Sequence, residues 1–260
     1  MAHLNTGHTH VFICGLHRSG TTILNKLVNS SKGASGFENS GAHMDEGQFL
    51  QDVFPIAKRF GGVGKFAFHH GAYMNEGHYL STPKCAEKLY SQWCPYWELD
   101  KQLLIEKTPA NIIRSRYFQS LFEDSKFIFI IRHPIATSFA TQKWSRTGTD
   151  ELFKHWLAAH RIAFEDMKHL ENSMILSYEE LVALPEESSN RIAKFLGTEL
   201  TYAGQLKNAN QKYFDRWNKE ANHLIKQWHS NSLISRFEKS FNAFGYSLTD
   251  LSIYPKFNQH

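Results

Sequence analysis

The sequence predicts an α/β fold with a mostly parallel central sheet, helices on both faces in three layers, and a P-loop-like junction after its first strand. Residues 126–132, KFIFIIR, are apolar without alternation, as a parallel strand covered on both faces requires. Residues 11–24, VFICGLHRSGTTIL, read as strand, glycine loop and helix. Strand-like and helix-like stretches then alternate up to Gly197, the pattern of parallel crossovers.

Size and charge narrow the field. A chain of 260 residues with 42% hydrophobic content can bury one full core, so a single domain over 1–260 is expected. Its net charge of +4 suits an anionic ligand but lacks the clustered basic stripe of a nucleic-acid binder. The first strand starts near residue 10, so no signal peptide is expected in this stretch, and no apolar run approaches the ~20 residues of a membrane span. Three cysteines cannot form a disulfide framework. A cytoplasmic location is the expectation, with residues 1–9 as a flexible tail to which His3, His8 and His10 are equally well assigned.

The first junction is the most informative stretch. Gly15, Gly20 and Thr22 fit the spacing G-x-x-x-x-G-K-[ST], but Thr21 stands where the lysine belongs. That lysine reaches the β- and γ-phosphates in nucleoside triphosphatases, so triphosphate chemistry is disfavoured. Arg18 instead supplies a planar cation, and Ser19, Thr21 and Thr22 supply hydroxyls. With Gly20 and the helix N-terminus, this set suits a 5′-phosphate bound without a metal. The alternative is an ordinary glycine-rich turn.

Residues 29–48 read as a long loop carrying Glu38, His43, Asp45 and Glu46, either a solvated surface or an acidic group near the phosphate loop. Residues 49–60 suggest a helix interrupted at Pro55. The following stretch, with five glycines and His69, His70 and His78, reads as a lid or substrate loop. Adjacent histidines point apart and no cysteine partner completes a set, so no metal is expected. An aromatic-rich helix over 83–101 completes a segment, 29–100, that is expected to shape an acceptor site.

The second core strand, 103–107, ends in Lys107, and the third ends in Arg132 before His133-Pro134. Polar residues leaving the C-terminal ends of parallel strands are where open α/β sheets hold ligands, although a lysine can also simply reach out of a strand end. Between them, 111–122 reads as an amphipathic helix with Arg114 outward. After the third strand, a helix offers Ser138, Thr141, Lys143 and Arg146, and a long helix follows over 151–170. A fourth strand, 174–178, ends in Tyr178, and the next helix stops at Gly197. Residues 205–260 have helical patterning around Tyr213, Phe214, Trp217, Leu224 and Trp228.

The ordered set GLHRSGTT, EKTP, RHP and SYEEL resembles the sulfotransferase family over roughly residues 10–200. The resemblance implies 3′-phosphoadenosine 5′-phosphosulfate (PAPS) as sulfuryl donor and a hydroxyl-bearing small molecule or glycan as acceptor. Arg18, Ser19, Gly20, Thr21 and Thr22 would cradle the 5′-phosphosulfate, Arg132 would take the 3′-phosphate, and Tyr178 would contact the nucleotide. Lys107 matches the lysine that assists the transferred oxygens. The family's serine, eight residues after the arginine, is Ala140 here, with Ser138 and Thr141 flanking it. The histidine of the small-molecule branch is replaced by Pro109, so the base is sought in the first loop: Glu46 first, then Glu38, with His43 or Asp45 beyond. The competing readings are a P-loop kinase or ATPase and a catalytically silent nucleotide-binding domain. Against the kinase, no aspartate ends a strand as a metal ligand.

Overall fold

A computed structural model describes residues 3–201, 206–223 and 226–257. Among them five strands form one sheet: β1 (Thr9–Cys14), β2 (Ala34–Gly36), β3 (Leu103–Lys107), β4 (Ser125–Ile131) and β5 (Ser173–Ser177). Their order is β2-β3-β1-β4-β5, every neighbouring pair parallel. β1 is central and fully buried, as its run Val11–Cys14 demands.

The pleat of the central strands sends alternate residues into two cores. Val11, Ile13, Ile105, Ile128 and Ile130 meet α1 (Thr21–Val28), α6 (Tyr178–Ala183) and α7 (Pro185–Leu196) on one face. Phe12, Cys14, Phe127 and Phe129 meet α2 (Pro83–Trp93), α3 (Ser115–Leu121), α4 (Pro134–Ser145) and α5 (Thr149–Met167) on the other. The rings there stack, Phe12 on Phe118 at 4.5 Å and on Phe127 at 5.3 Å between centroids, so the second layer is built on aromatic contact. α8 (Gln211–Ala221) and α9 (Gln227–Asn242) extend that layer, Trp217 and Phe241 packing toward Phe153. The three-layer α/β expectation holds.

Several local expectations change. The long loop contains β2, an edge strand of only three residues, Ala-Ser-Gly, too short to announce itself by alternation. Residues 49–60 form no α-helix: short 3₁₀ turns at Gly47–Phe49 and Ala57–Phe60 flank Pro55. The presumed tail is pinned from residue 3 onward. Leu4 pairs with Phe122 beside β4, the His8 ring bonds the Leu99 carbonyl at 3.0 Å, and His10 is buried within β1. Arg114 points inward. It is fully buried, donating from Nε to the Ala72 carbonyl at 3.1 Å and from Nη2 to the Pro55 carbonyl at 3.0 Å, with its guanidinium 5.3 Å over Phe54. Helical periodicity alone cannot see that these loop carbonyls need a donor. Leu224 lies outside the described residues. No helix among the described residues is long and apolar enough to cross a membrane.

Candidate active site

The parallel register sets the C-terminal ends of β1, β3, β4 and β5 along one rim, and the predicted site residues gather there. After Cys14 the chain turns through Gly15, whose missing side chain matters: a Cβ would lie 2.7 Å from the Ile130 carbonyl and 2.7 Å from Ser19 Oγ. Arg18 takes a left-handed φ of 69°, and Gly20, at φ 110°, starts α1 with no side-chain cap. The first turn of α1 therefore keeps its N–H groups free for an anion.

Polar atoms left unpaired around this loop match such a ligand. Among the described residues, Ser19 Oγ is buried without a partner, and so is Arg132 Nη2. The other Arg132 donors are committed, Nε to Asn210 Oδ1 at 2.8 Å and Nη1 to the Arg18 carbonyl at 2.7 Å. Its guanidinium lies 4.2 Å over the Tyr178 ring, and Tyr178 in turn flanks Gly20, so the loop, Arg132 and Tyr178 form one packed unit. Burial lowers the Arg132 pKa from its ordinary value, with the Tyr178 and Glu179 side chains opposing that shift. Asn210 ties the unit to the C-terminal part by donating to Glu179 at 2.6 Å. Sequence reading missed Asn210, because no pattern links position 210 to 132. Ser138 is buried near the loop with its Oγ unpaired; the polar partners of Arg132 are Asn210 and the Arg18 carbonyl.

Beside the loop opens a cavity of about 280 Å³, lined by Arg18, Thr21, Thr22, His43, Glu46 and Lys107, with Met44, Phe49 and Trp144 on its apolar side. Lys107 and Glu46 meet at its floor, Nζ to Oε1 at 3.5 Å, both nearly inaccessible to solvent. Lys107 also donates to the Met44 carbonyl at 3.0 Å. Glu46 Oε2 accepts from Gln48 Nε2 at 2.7 Å, and Gln48 Oε1 accepts the Ala57 N–H at 2.9 Å. Burial pushes the Glu46 carboxyl up from its ordinary value, against the pull of Lys107 and Gln48. The other loop candidates sit differently. Glu38 and His43 are exposed, and Asp45 is occupied by the Ser40 N–H at 2.9 Å and hydroxyl at 2.6 Å, which hold its carboxyl below the usual range. Glu46 is the one buried side chain of the four candidates.

Residues 10–202 match the model of the sulfotransferase family. The chain belongs to the sulfotransferase family. A protein-tyrosine sulfotransferase of Drosophila melanogaster is 31% identical over 102 residues, covering 36% of this chain and 20% of that protein. Protein-tyrosine sulfotransferase 2 of Gallus gallus is 32% identical over 103 residues, covering 36% and 28%. The matched stretch is thus between a fifth and a third of the curated relatives' lengths. Among solved structures, the sulfotransferase domain of the Synechococcus PCC 7002 olefin synthase superposes with a TM-score of 0.50 at 18% identity, covering 82% of this chain and 86% of that domain. The fold is shared at that distance.

Proposed function

We propose that this chain transfers a sulfuryl group to a hydroxyl acceptor, with Glu46 as base. The observation that carries the reading is the buried Glu46–Lys107 pair on the floor of a cavity that also receives the phosphate loop. Bound PAPS would supply the sulfuryl group and leave as adenosine 3′,5′-bisphosphate. The Ser19 and Arg132 atoms left unpaired, with the open α1 N-terminus, fit its two separated phosphate ends.

Each side chain then has a task. Arg18, Thr21, Thr22 and the Gly20 turn orient the 5′ end, and the remaining Arg132 donor takes the 3′-phosphate. Glu46 accepts the proton of the acceptor hydroxyl as the new bond to sulfur forms, and a carboxylate raised toward neutrality suits that role. Lys107, within reach of Glu46, neutralises charge that builds on the oxygen between sulfur and the leaving phosphate. In-line transfer of this kind runs mainly on positioning and charge stabilisation, and because the leaving bisphosphate carries less charge than a triphosphate, Arg18 and Lys107 would supply that stabilisation without a metal. The acceptor, a hydroxyl-bearing small molecule or glycan, would lie along Met44, Phe49 and Trp144. The three cysteines, all free, fit a reducing, cytoplasmic setting.

Calorimetry with adenosine 3′,5′-bisphosphate and with Mg-ATP tests the donor site. Bisphosphate binding is expected, and Mg-ATP binding in its place overturns the reading. Labelled sulfate transfer across a panel of hydroxyl compounds tests the chemistry. Glu46→Gln is expected to lower kcat by about 10²–10⁴-fold with bisphosphate affinity held within about twofold. Unchanged kcat would move the base to another group.

A further inference from the structure

Glu106 is a buried carboxylate that the proposed reaction does not use. It precedes Lys107 in β3, so the pleat turns it to the opposite face of the sheet, where it is 1% exposed. Among the described residues no cation pairs with it within salt-bridge distance. Three donors converge on it: the Gly47 N–H on Oε1 at 2.9 Å, the Thr108 hydroxyl on Oε1 at 2.5 Å, and the Asn111 side-chain amide on Oε2. A charge-sized group kept in a core without a counter-ion is costly unless its hydrogen bonds are filled, and here the donors that fill them belong to one neighbourhood.

Thr108 and Asn111 follow β3 itself, and the third donor, the Gly47 N–H, lies on the backbone carrying Glu46. Gly47 follows Glu46 directly. Its N–H is held by Glu106, its carbonyl accepts from Trp93 Nε1 at 3.0 Å, and the next N–H, of Gln48, is held by Thr108 Oγ1 at 3.3 Å. On the other side of Glu46, Lys107 holds the Met44 carbonyl. Consecutive residues of one β-strand end thus grip the chain before and after Glu46. The approach is close enough to require glycine: a Cβ at Gly47 would lie 2.6 Å from Glu106 Oε1 and 2.9 Å from the Phe37 ring.

We infer that Glu106 is a positioning residue for the base. By fixing the peptide that follows Glu46, it sets the carboxylate against Lys107 at the cavity floor, although it touches neither donor nor acceptor. The inference rests on the sulfuryl-transfer reading for its catalytic consequence, and on geometry alone for the bracing.

The test compares Glu106→Ala, Glu106→Gln and Thr108→Val in the full chain by three measurements: amide hydrogen exchange over 44–49, bisphosphate affinity, and kcat and KM of sulfate transfer. The glutamine keeps an acceptor for Gly47, and Asn111 can rotate to meet its amide. Glu106→Gln is therefore expected to stay within about threefold of the parent in kcat. Glu106→Ala is expected to speed exchange over 44–49 by about tenfold or more and to lower kcat about 10–100-fold, with bisphosphate affinity within about twofold. Thr108→Val, which leaves Glu106 in place, gives a smaller change in the same direction and serves if the alanine variant does not fold. Unchanged exchange overturns the bracing. Parallel loss of bisphosphate affinity and kcat overturns the selective role and leaves Glu106 a general core residue. If the parent binds bisphosphate yet sulfates no acceptor, the reaction reading fails, and exchange alone still decides whether Glu106 braces residues 44–49.

Discussion

At the scale of single residues, burial decides which of several chemically similar groups can act. Glu38, Asp45 and Glu46 lie within nine positions, yet only Glu46 is out of solvent and beside a lysine. Its burial raises the carboxyl pKa, and a base must be ionised to work. The rate of sulfate transfer should therefore rise with pH along a limb centred above the ~4.3 of an ordinary glutamate. A pH profile of kcat checks this, and in Glu46→Gln that limb should vanish. A limb centred below ~4 would show that another group titrates. The site was legible at this scale as residue types near the glycine loop after β1. Glu106 was not, because its importance lies in a hydrogen bond to residue 47, 59 positions away.

Among the elements, the β1–α1 junction carries the tightest constraint. Gly15 has no room for a methyl group, since the obstacle is the Ile130 backbone carbonyl of the neighbouring strand. Gly15→Ala should cost about 1–3 kcal/mol of stability through overpacking and weaken bisphosphate binding, because the displaced loop no longer aims its N–H groups. Denaturant unfolding and calorimetry on the same variant check both, and full bisphosphate affinity would show that the loop tolerates the shift. Strand and helix identity was readable wherever the pattern was long: β3 occupies 103–107 as its apolar run suggests, and β4 spans 125–131. The elements that periodicity missed are short. β2 has three residues, and the 43–72 region is built from 3₁₀ turns whose shape follows from tertiary bonds such as those of Arg114 and Gln48.

Two properties belong to the whole molecule. Arg132 joins the loop between β1 and α1, through the Arg18 carbonyl, to Asn210 near the start of α8. Arg132→Lys keeps a charge but loses this fork, and charged hydrogen bonds of this kind contribute about 1.5–3 kcal/mol. Bisphosphate affinity should fall about 10–100-fold, with a smaller loss for adenosine 5′-phosphate; equal losses for both would argue against a 3′-phosphate role. The second property is acid sensitivity. Burial depresses His10, His133, His155 and His160 to about 3 and His17 to about 4. Below the unfolded value near 6.5 the unfolded chain binds protons that the folded chain refuses, so stability is full above that pH and declines as pH falls toward 3. The carboxyls of Asp166, raised to about 6 by burial, and of Glu46, Glu106 and Glu179, also raised by burial, run the other way against these five histidines. Denaturant midpoints between pH 7 and 4 should show the decline. His155→Gln, whose amide oxygen can still accept the Ala67 N–H, should flatten it; a parent already flat over this range would overturn the argument.

Local order was enough to read the parallel three-layer fold, the glycine loop between β1 and α1 and the cationic rim, because strand runs, glycine spacing and strand-end residues are written within a few positions of one another. Folding alone decided which acidic residue is buried at the cavity, that Arg114 points inward, that the N-terminal stretch is pinned from residue 3, and that Asn210 and Glu106 belong to the site's support. Each of those depends on hydrogen bonds or burial between segments far apart in the chain, and no local pattern records where a distant carbonyl or N–H comes to rest.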